Sequence, residues 1–323
     1  MMSDNVAKAK IPEIDRSVVR DELEVDLKEL ADALWVAKIP IVLFTMLCAL
    51  MSVWYAMSIP NQYKAEAVLA PAQQQSSGLS GALGQLGGLA SLAGVSVGGS
   101  GANESKIAQK VMNSWSFIDQ FIKDNQLEAA VFAVEGWDQS ANRARYNSEV
   151  YNSTSQQWLI EGEDGSIRGP SSWDLFVTFS EKLTVVENKT TDLVTVSIEH
   201  YSPQQAKQWL DMFVDAINQH MQLRQMVKVT SNIAYLQAQI EKTSIAEMKE
   251  VFYTIIQEQI KSKMLAEASP EYVFVAVSPS MVPERKSQPK RAIICVLSTF
   301  FGGMIAVGIT LLRHIIRRNV GHS

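Results

Sequence analysis

Apolar and polar positions fall into sharply different regimes along this chain. Residues 39–59 and 292–312 are two runs of 21 residues without a charge. As a helix, each run is about 30 Å long, the thickness of a bilayer's hydrocarbon core. The pattern excludes an ordinary soluble enzyme and divides the chain. It gives an N-terminal tail (1–38), a span (39–59), a large loop (60–291), a second span (292–312) and a short tail (313–323). Small residues recur every four positions in both spans: Cys48, Ser52 and Ala56 in the first, Ser298, Gly302, Ala306 and Thr310 in the second. Such ladders let helices approach closely in lipid. Trp35, Trp54 and Tyr55 suit an interfacial belt.

Outside the spans the periods change. Residues 18–36 carry Val19, Leu23, Leu27, Leu30 and Leu34 at spacings of three and four, which predicts an amphipathic helix leading into the membrane. After the first span Tyr63, Ala65, Ala67 and Leu69 alternate with other residues, as in a strand. Residues 104–126 read as one helix with Ile107, Val111, Trp115, Ile118, Phe121 and Ile122 on its stripe. Residues 183–187 and 193–200 read as a hairpin around the polar run 188–192, with Val194, Val196 and Ile198 on one face. Residues 271–278 are again strand-like, and residues 128–170 show no clear period.

The longest signal begins at Ser202, with Pro203 next and Gln205 at the third helical position, a capped helix start. From 204 to 269 there is neither Gly nor Pro. A single helix over about 203–268 would be roughly 100 Å long. Its candidate assembly face is Ile233, Leu236, Ile240, Ile245, Met248, Phe252 and Ile255. The spacing stutters between Ile240 and Ile245, and the alternative is two helices kinked near 230–232. A continuous rod needs partners along its length, which points to self-association.

Composition refines three places. Residues 73–101 hold nine of the 17 glycines, the mark of a flexible linker. Yet Leu83, Leu86, Leu89 and Leu92 recur at three-residue spacing and could dock on a neighbour or a lipid surface. Residues 279–291 carry Pro279, Pro283 and Pro289 followed by Lys290 and Arg291. Prolines this dense are expected to stop both sheet and helix and to make a stiff lead into the second span. The net charge of −5 is spread without a basic block, which argues against nucleic acid.

Candidate chemistry is sparse. Both cysteines, Cys48 and Cys295, lie inside the spans, so no disulfide is expected in the loop. No phosphate-binding glycine loop, nucleophile elbow or zinc-protease helix motif occurs. His200, His220, His314 and His322 are scattered, and Asp211/Asp215 and Glu247/Glu250 fit a solvated helix face. The chain is therefore expected to be no enzyme and to need no cofactor or metal.

Several segments together resemble the Wzz chain-length determinant family, the class 1 polysaccharide co-polymerases of bacterial inner membranes. They are PNQYKAEAVL after the first span, LGGLASLAG at 86–94, WSFIDQFIKDNQL at 115–127 and TTDLVTVSIEHYSPQQAKQW at 190–209. The Pro-Lys-Arg lead into the second span completes the set. The resemblance implies an α+β periplasmic domain with a very long helix, flanked by two transmembrane helices. It also implies cytoplasmic termini and copies joined in a bell-shaped homo-oligomeric ring. The implied partners are the inner-membrane polymerase, a lipid-linked glycan and membrane lipid. The implied function is to set the chain length of O-antigen in lipopolysaccharide, without the tyrosine kinase module of larger relatives. Two alternatives are an auxiliary protein for capsule or exopolysaccharide export and, more remotely, a transmembrane sensor.

Overall fold

The computed structural model describes residues 34–72, 100–161 and 165–320. The predicted N-terminal helix over 18–36, except its last three residues, and Leu83, Leu86, Leu89 and Leu92 lie outside the described residues. The chain divides into two compact units, residues 1–59 with 290–323, and residues 60–289.

The first unit pairs helix α1 (Lys38–Ser58) with helix α8 (Arg291–Val320). Both are long and apolar enough to cross a membrane, with mean hydropathy 2.0 for Lys38–Ser58 and 2.3 for Arg291–Arg313. Pro40 is absorbed in the opening turn of α1, where its missing N–H has no helical partner to lose.

The second unit is built on a five-stranded antiparallel sheet. Strand β1 (Gln62–Pro71) lies at its centre between β10 (Phe274–Ser278) and β9 (Val194–His200), and β8 (Leu183–Glu187) closes the far side. The predicted 183–200 hairpin is present, with Val185 opposite Val196. The registers Ala65↔Ile198, Ala67↔Val196 and Leu69↔Val194 put six apolar side chains on one face, and all six are buried. Burying one face is what makes the period of two visible in the sequence.

The proline-rich lead departs from expectation. Lys286–Gln288 forms a short strand, β11, that pairs with the first residues of β1 (Gln62↔Gln288, Tyr63↔Lys286). Pro283 and Pro289 bracket these three residues without interrupting them, so the ladder needs no N–H from a proline. Consequently the chain enters and leaves this unit at the same end of the sheet.

Helices cover the buried face. The predicted helix over 104–126 is two helices, α2 (Ser100–Met112) and α3 (Trp115–Asp124), separated at Asn113 and Ser114. The Ser114 hydroxyl donates to the Val111 carbonyl and its backbone is extended, which ends the first helix and starts the second. A short helix α4 (Glu128–Phe132) follows. Helix α5 (Ser172–Lys182) opens on a capping box in which Ser171 and Asp174 satisfy each other's backbone N–H. Phe117, Phe121, Phe179, Trp209 and Phe213 interlock beneath the sheet, with edge-on rings at Phe117–Phe213 (5.4 Å) and Phe121–Phe213 (5.1 Å).

The unpatterned stretch 134–168 folds as three two-stranded ribbons: β2 (Val134–Asp138) with β3 (Arg143–Tyr146), β4 (Tyr151–Asn152) with β5 (Gln157–Trp158), and β6 (Ile160–Glu161) with β7 (Ile167–Arg168). The β4–β5 and β6–β7 ladders, of two residues each, carry no readable period. The packing of the region comes from Tyr146, Tyr151, Trp158 and Phe132 in successive ring contact.

A helical hairpin in place of a rod

Residues 203–268 are helical almost throughout, but not as one helix. Helix α6 (Pro203–Lys242) is 40 residues long, about 60 Å. The chain then turns back through Thr243, Ser244 and Ile245, and helix α7 (Ala246–Glu267) returns along it. The break lies at the stutter noted in the sequence, and α6 runs unbroken through 230–232. No Gly or Pro makes this turn. Thr243 and Ile245 are extended (ψ 128° and 118°), and the Thr243 hydroxyl and N–H both return to the Gln239 carbonyl. Hydroxyl and β-branched side chains that satisfy the last carbonyls in this way are poor helix continuers.

Candidate assembly surface

The hairpin is fixed to the sheet by one buried amide. Asn218 on α6 is 3% exposed. Its Nδ2 donates to the Phe274 carbonyl (3.0 Å), and its Oδ1 accepts from the N–H groups of Val273 (3.0 Å) and Phe274 (2.9 Å). These bonds continue the sheet's edge onto a helix. One turn further along, Gln222 Nε2 donates to the Ala266 carbonyl (2.7 Å) and the Ser269 carbonyl (3.2 Å). That ties α6 to the chain at and just beyond the end of α7. Sequence reading passed over both residues, because a lone Asn or Gln in a helix looks like any solvated position.

The seven residues of the candidate assembly face separate into two groups. Ile240 is buried in the hairpin, as are Val229 and Ile256, and Ile233, Leu236 and Phe252 are half-buried. Ile245, Met248 and Ile255 remain exposed at 56%, 43% and 39%. Val251, also exposed, falls between them at helical spacing and extends an apolar stripe along the outer side of α7. Part of the apolar seam is thus spent within the chain, and part has no partner.

In the first unit, Ser52, Ala56, Gly302 and Ala306 are buried. A Cβ placed on Gly302 would lie 2.8 Å from the Cys48 Cβ, and one on Gly303 would lie 3.2 Å from Thr45 Cγ2. Ser298 and Thr310 are half-buried, and Thr310 Oγ1 donates to the Val307 carbonyl. In the proline-rich lead, Pro279 is exposed, Pro283 and Pro289 are half-buried, and Lys290 is exposed.

Titratable groups form no cluster of three or more metal-ligand residues among the described residues. His200 is buried against Trp209 (4.7 Å) and Trp137 (6.2 Å), and its Nδ1 accepts from the Ser202 N–H (3.0 Å). Burial, reinforced by the nearby Lys182 cation, lowers its pKa to about 4. Lys182 donates to the Val131 carbonyl (2.7 Å), and burial lowers its pKa to about 8. His220 packs edge-on to Phe117 and is lowered by burial and Arg224. Asp211 bonds to Lys207 and Ser280, whereas Asp215 is raised by burial and by Asp211 and Glu271.

Comparison with known proteins first gives a class. The family model described as Wzz, chain length determinant protein, matches residues 23–125. That segment holds the first apolar helix, β1 and the helices up to α3. A curated relative then extends the likeness. The chain length determinant protein of Salmonella typhimurium strain LT2 is 24% identical over 328 residues, 92% of this chain and 94% of the relative. The chain therefore resembles the chain length determinant family along nearly its whole length. Two solved structures are also similar. A full-length bacterial polysaccharide co-polymerase has TM-score 0.37 and 15% identity, covering 91% of this chain and 99% of its own. A fragment of WzzB, the polysaccharide co-polymerase from Salmonella Typhimurium, has TM-score 0.27 and 13% identity, covering 71% and 100%.

Proposed function

We propose that this chain regulates the chain length of a cell-surface polysaccharide, O-antigen of lipopolysaccharide, as a non-catalytic partner of the membrane polymerase. The observation that carries the proposal is the end-to-end likeness to a chain length determinant protein. Two apolar helices around one α+β unit support a two-pass inner-membrane protein. In that arrangement the 60–289 unit is periplasmic and both termini are cytoplasmic.

The exposed stripe of Ile245, Met248, Val251 and Ile255 supports homo-oligomerisation. A second copy laid against α7 removes these side chains from water, at roughly 25 cal/mol for each Å² of apolar surface. Copies repeated around a ring present the growing, lipid-linked glycan with a surface whose size is set by copy number. The small-residue contact of Cys48 with Gly302 holds each copy's two helices together in lipid.

Deletion of the gene, followed by gel separation of the lipopolysaccharide, tests the reading. The modal length is expected to be lost and to return with the intact gene. An unchanged distribution refutes it.

A further inference from the structure

Two tryptophans stand exposed in the 60–289 unit, in the first turns of two helices that pack together. Trp115 opens α3 and Trp173 is the second residue of α5, and they are 49% and 61% exposed. Phe121 and Phe179 hold the two helices in contact, with 5.5 Å between their rings. Trp115 Nε1 donates to the Ser172 hydroxyl (3.0 Å), which brings its indole beside the first turn of α5. Trp173 lies against Phe176 (5.2 Å). Both rings are thus held in place, yet neither belongs to the buried core.

An open hollow of about 420 Å³ lies along α2 and ends at Ser114, the residue before Trp115. Ile107 and Val111 give it an apolar floor, and Lys106 and Lys110 complete its lining. Both lysines are exposed, and neither has a hydrogen-bond or ion-pair partner among the described residues. Within four residues of these lysines and the two indoles, the carboxylates are Glu104, Asp119 and Asp174. Each is engaged. Glu104 has a partner, Asp119 accepts from Lys123 (2.8 Å), and Asp174 closes the capping box at Ser171.

A pyranose ring carries C–H bonds on its face and hydroxyls around its rim. The C–H hydrogens are electropositive and the face of an indole is electronegative, so the two stack. The rim then needs polar groups close by. Area separates this occupant from a protein. An aromatic side chain offers about 150–250 Å², so two half-exposed indoles present on the order of 200 Å². Val177, one turn beyond Trp173, is exposed but small. A stable protein interface takes roughly 800 Å² from each partner. The exposed residues flanking the indoles, Asn113, Ser116, Ser171 and Asp174, are polar. Isolated flat rings in a polar surround fit sugar faces.

We propose that Trp115 and Trp173, with the hollow on α2, form a saccharide-binding surface that holds sugar units of the growing polysaccharide. This deepens, and rests on, the reading of the chain as a regulator of polysaccharide length. The indoles stack on sugar faces, and Lys106 and Lys110 donate to hydroxyl or acidic groups of adjoining units.

The test uses the full chain, labelled with fluorotryptophan and purified in a detergent without a sugar headgroup. The probe is the polysaccharide released by mild acid from the lipopolysaccharide of the strain that carries the gene. Fluorine NMR resonances of the seven tryptophans are assigned by single Trp→Phe changes. Those of Trp115 and Trp173 are expected to shift and saturate as polysaccharide is added, while that of the buried Trp209 stays in place. Trp115→Ala and Trp173→Ala should each weaken binding about tenfold, the worth of one aromatic contact. Thermal melts should show both variants folded. In cells the double variant should lose the modal length.

Absence of the two shifts overturns the inference, as does a modal length kept by the double variant. So does protection of both resonances from a soluble paramagnetic chelate before polysaccharide is added, which marks rings covered by a second copy or another protein. An unchanged length distribution on deleting the gene overturns the length-regulator reading itself, and is measured separately from the binding.

Discussion

Asn218 carries three hydrogen bonds where water does not reach. Replacing it with alanine leaves the Val273 and Phe274 N–H groups and the Phe274 carbonyl without these partners. Buried polar groups left unsatisfied cost about 1–3 kcal/mol each, so Asn218→Ala should destabilise the chain by about 3 kcal/mol or more. Denaturant unfolding of the purified protein reads this directly. His200 gives a pH dependence of definite sign. Its folded pKa, about 4, lies below the usual 6.5 of an unfolded chain. The unfolded state therefore takes up the proton first. The stability tied to the neutral ring is complete above pH 6.5 and falls as pH drops toward 4, by about 3 kcal/mol in all. Lys182 titrates above this window and the lowered Asp119 and Asp138 below it, whereas the lowered His220 adds a slope of the same sign within it and the raised Asp215 one of opposite sign at its acid end. His200→Gln should flatten the slope between pH 6.5 and 4 in thermal melts. An unchanged slope would assign it elsewhere, and His220 accounts for a smaller remainder.

At the scale of elements, legibility followed burial. Strands β1, β8 and β9 were readable because one face of each is packed and the other is not. The β4–β5 and β6–β7 ribbons were not, since two-residue ladders leave no period to find. Strand β11 was hidden by its prolines, which flank the ladder and do not interrupt it. The long helix was read as a rod because nothing in 204–269 breaks a helix by composition. Its actual turn uses Thr243 and Ser244, residues that merely permit an end. Proline substitution separates the two geometries. Thr230→Pro falls inside α6 and should cost about 3 kcal/mol or more. Ser244→Pro falls between the helices, after a residue already extended as proline requires, and should cost far less. Circular dichroism melts of the two variants should differ accordingly, and equal losses would argue for a continuous helix.

For the whole molecule the proposed assembly surface is the exposed apolar stripe of α7. Met248→Asp or Ile255→Asp adds a charge to an exposed stripe and should leave each copy folded while dissociating the assembly. Ile256→Asp, at a position 8% exposed within the hairpin, should unfold it. Light scattering of detergent-purified protein distinguishes these outcomes, and the assembly-defective variants should also lose modal polysaccharide length. A Met248→Asp protein that keeps its mass would place the interface elsewhere.

The sequence by itself determined the two apolar helices, the antiparallel strands and the resemblance to chain length determinants. Each of these is written in local periods or short motifs, and a local period survives without knowledge of partners. Only the tertiary structure decided that residues 203–267 fold back on themselves, which halves the apolar seam between the chain's own core and its exposed stripe. It alone also joined β1 to β11 and carried the β2–β3 hairpin to the end of the sheet. Those choices depend on which distant surfaces meet. A side chain such as Ile240 or Met248 has the same hydrophobicity whether its partner lies in its own chain, in a second copy, or in neither.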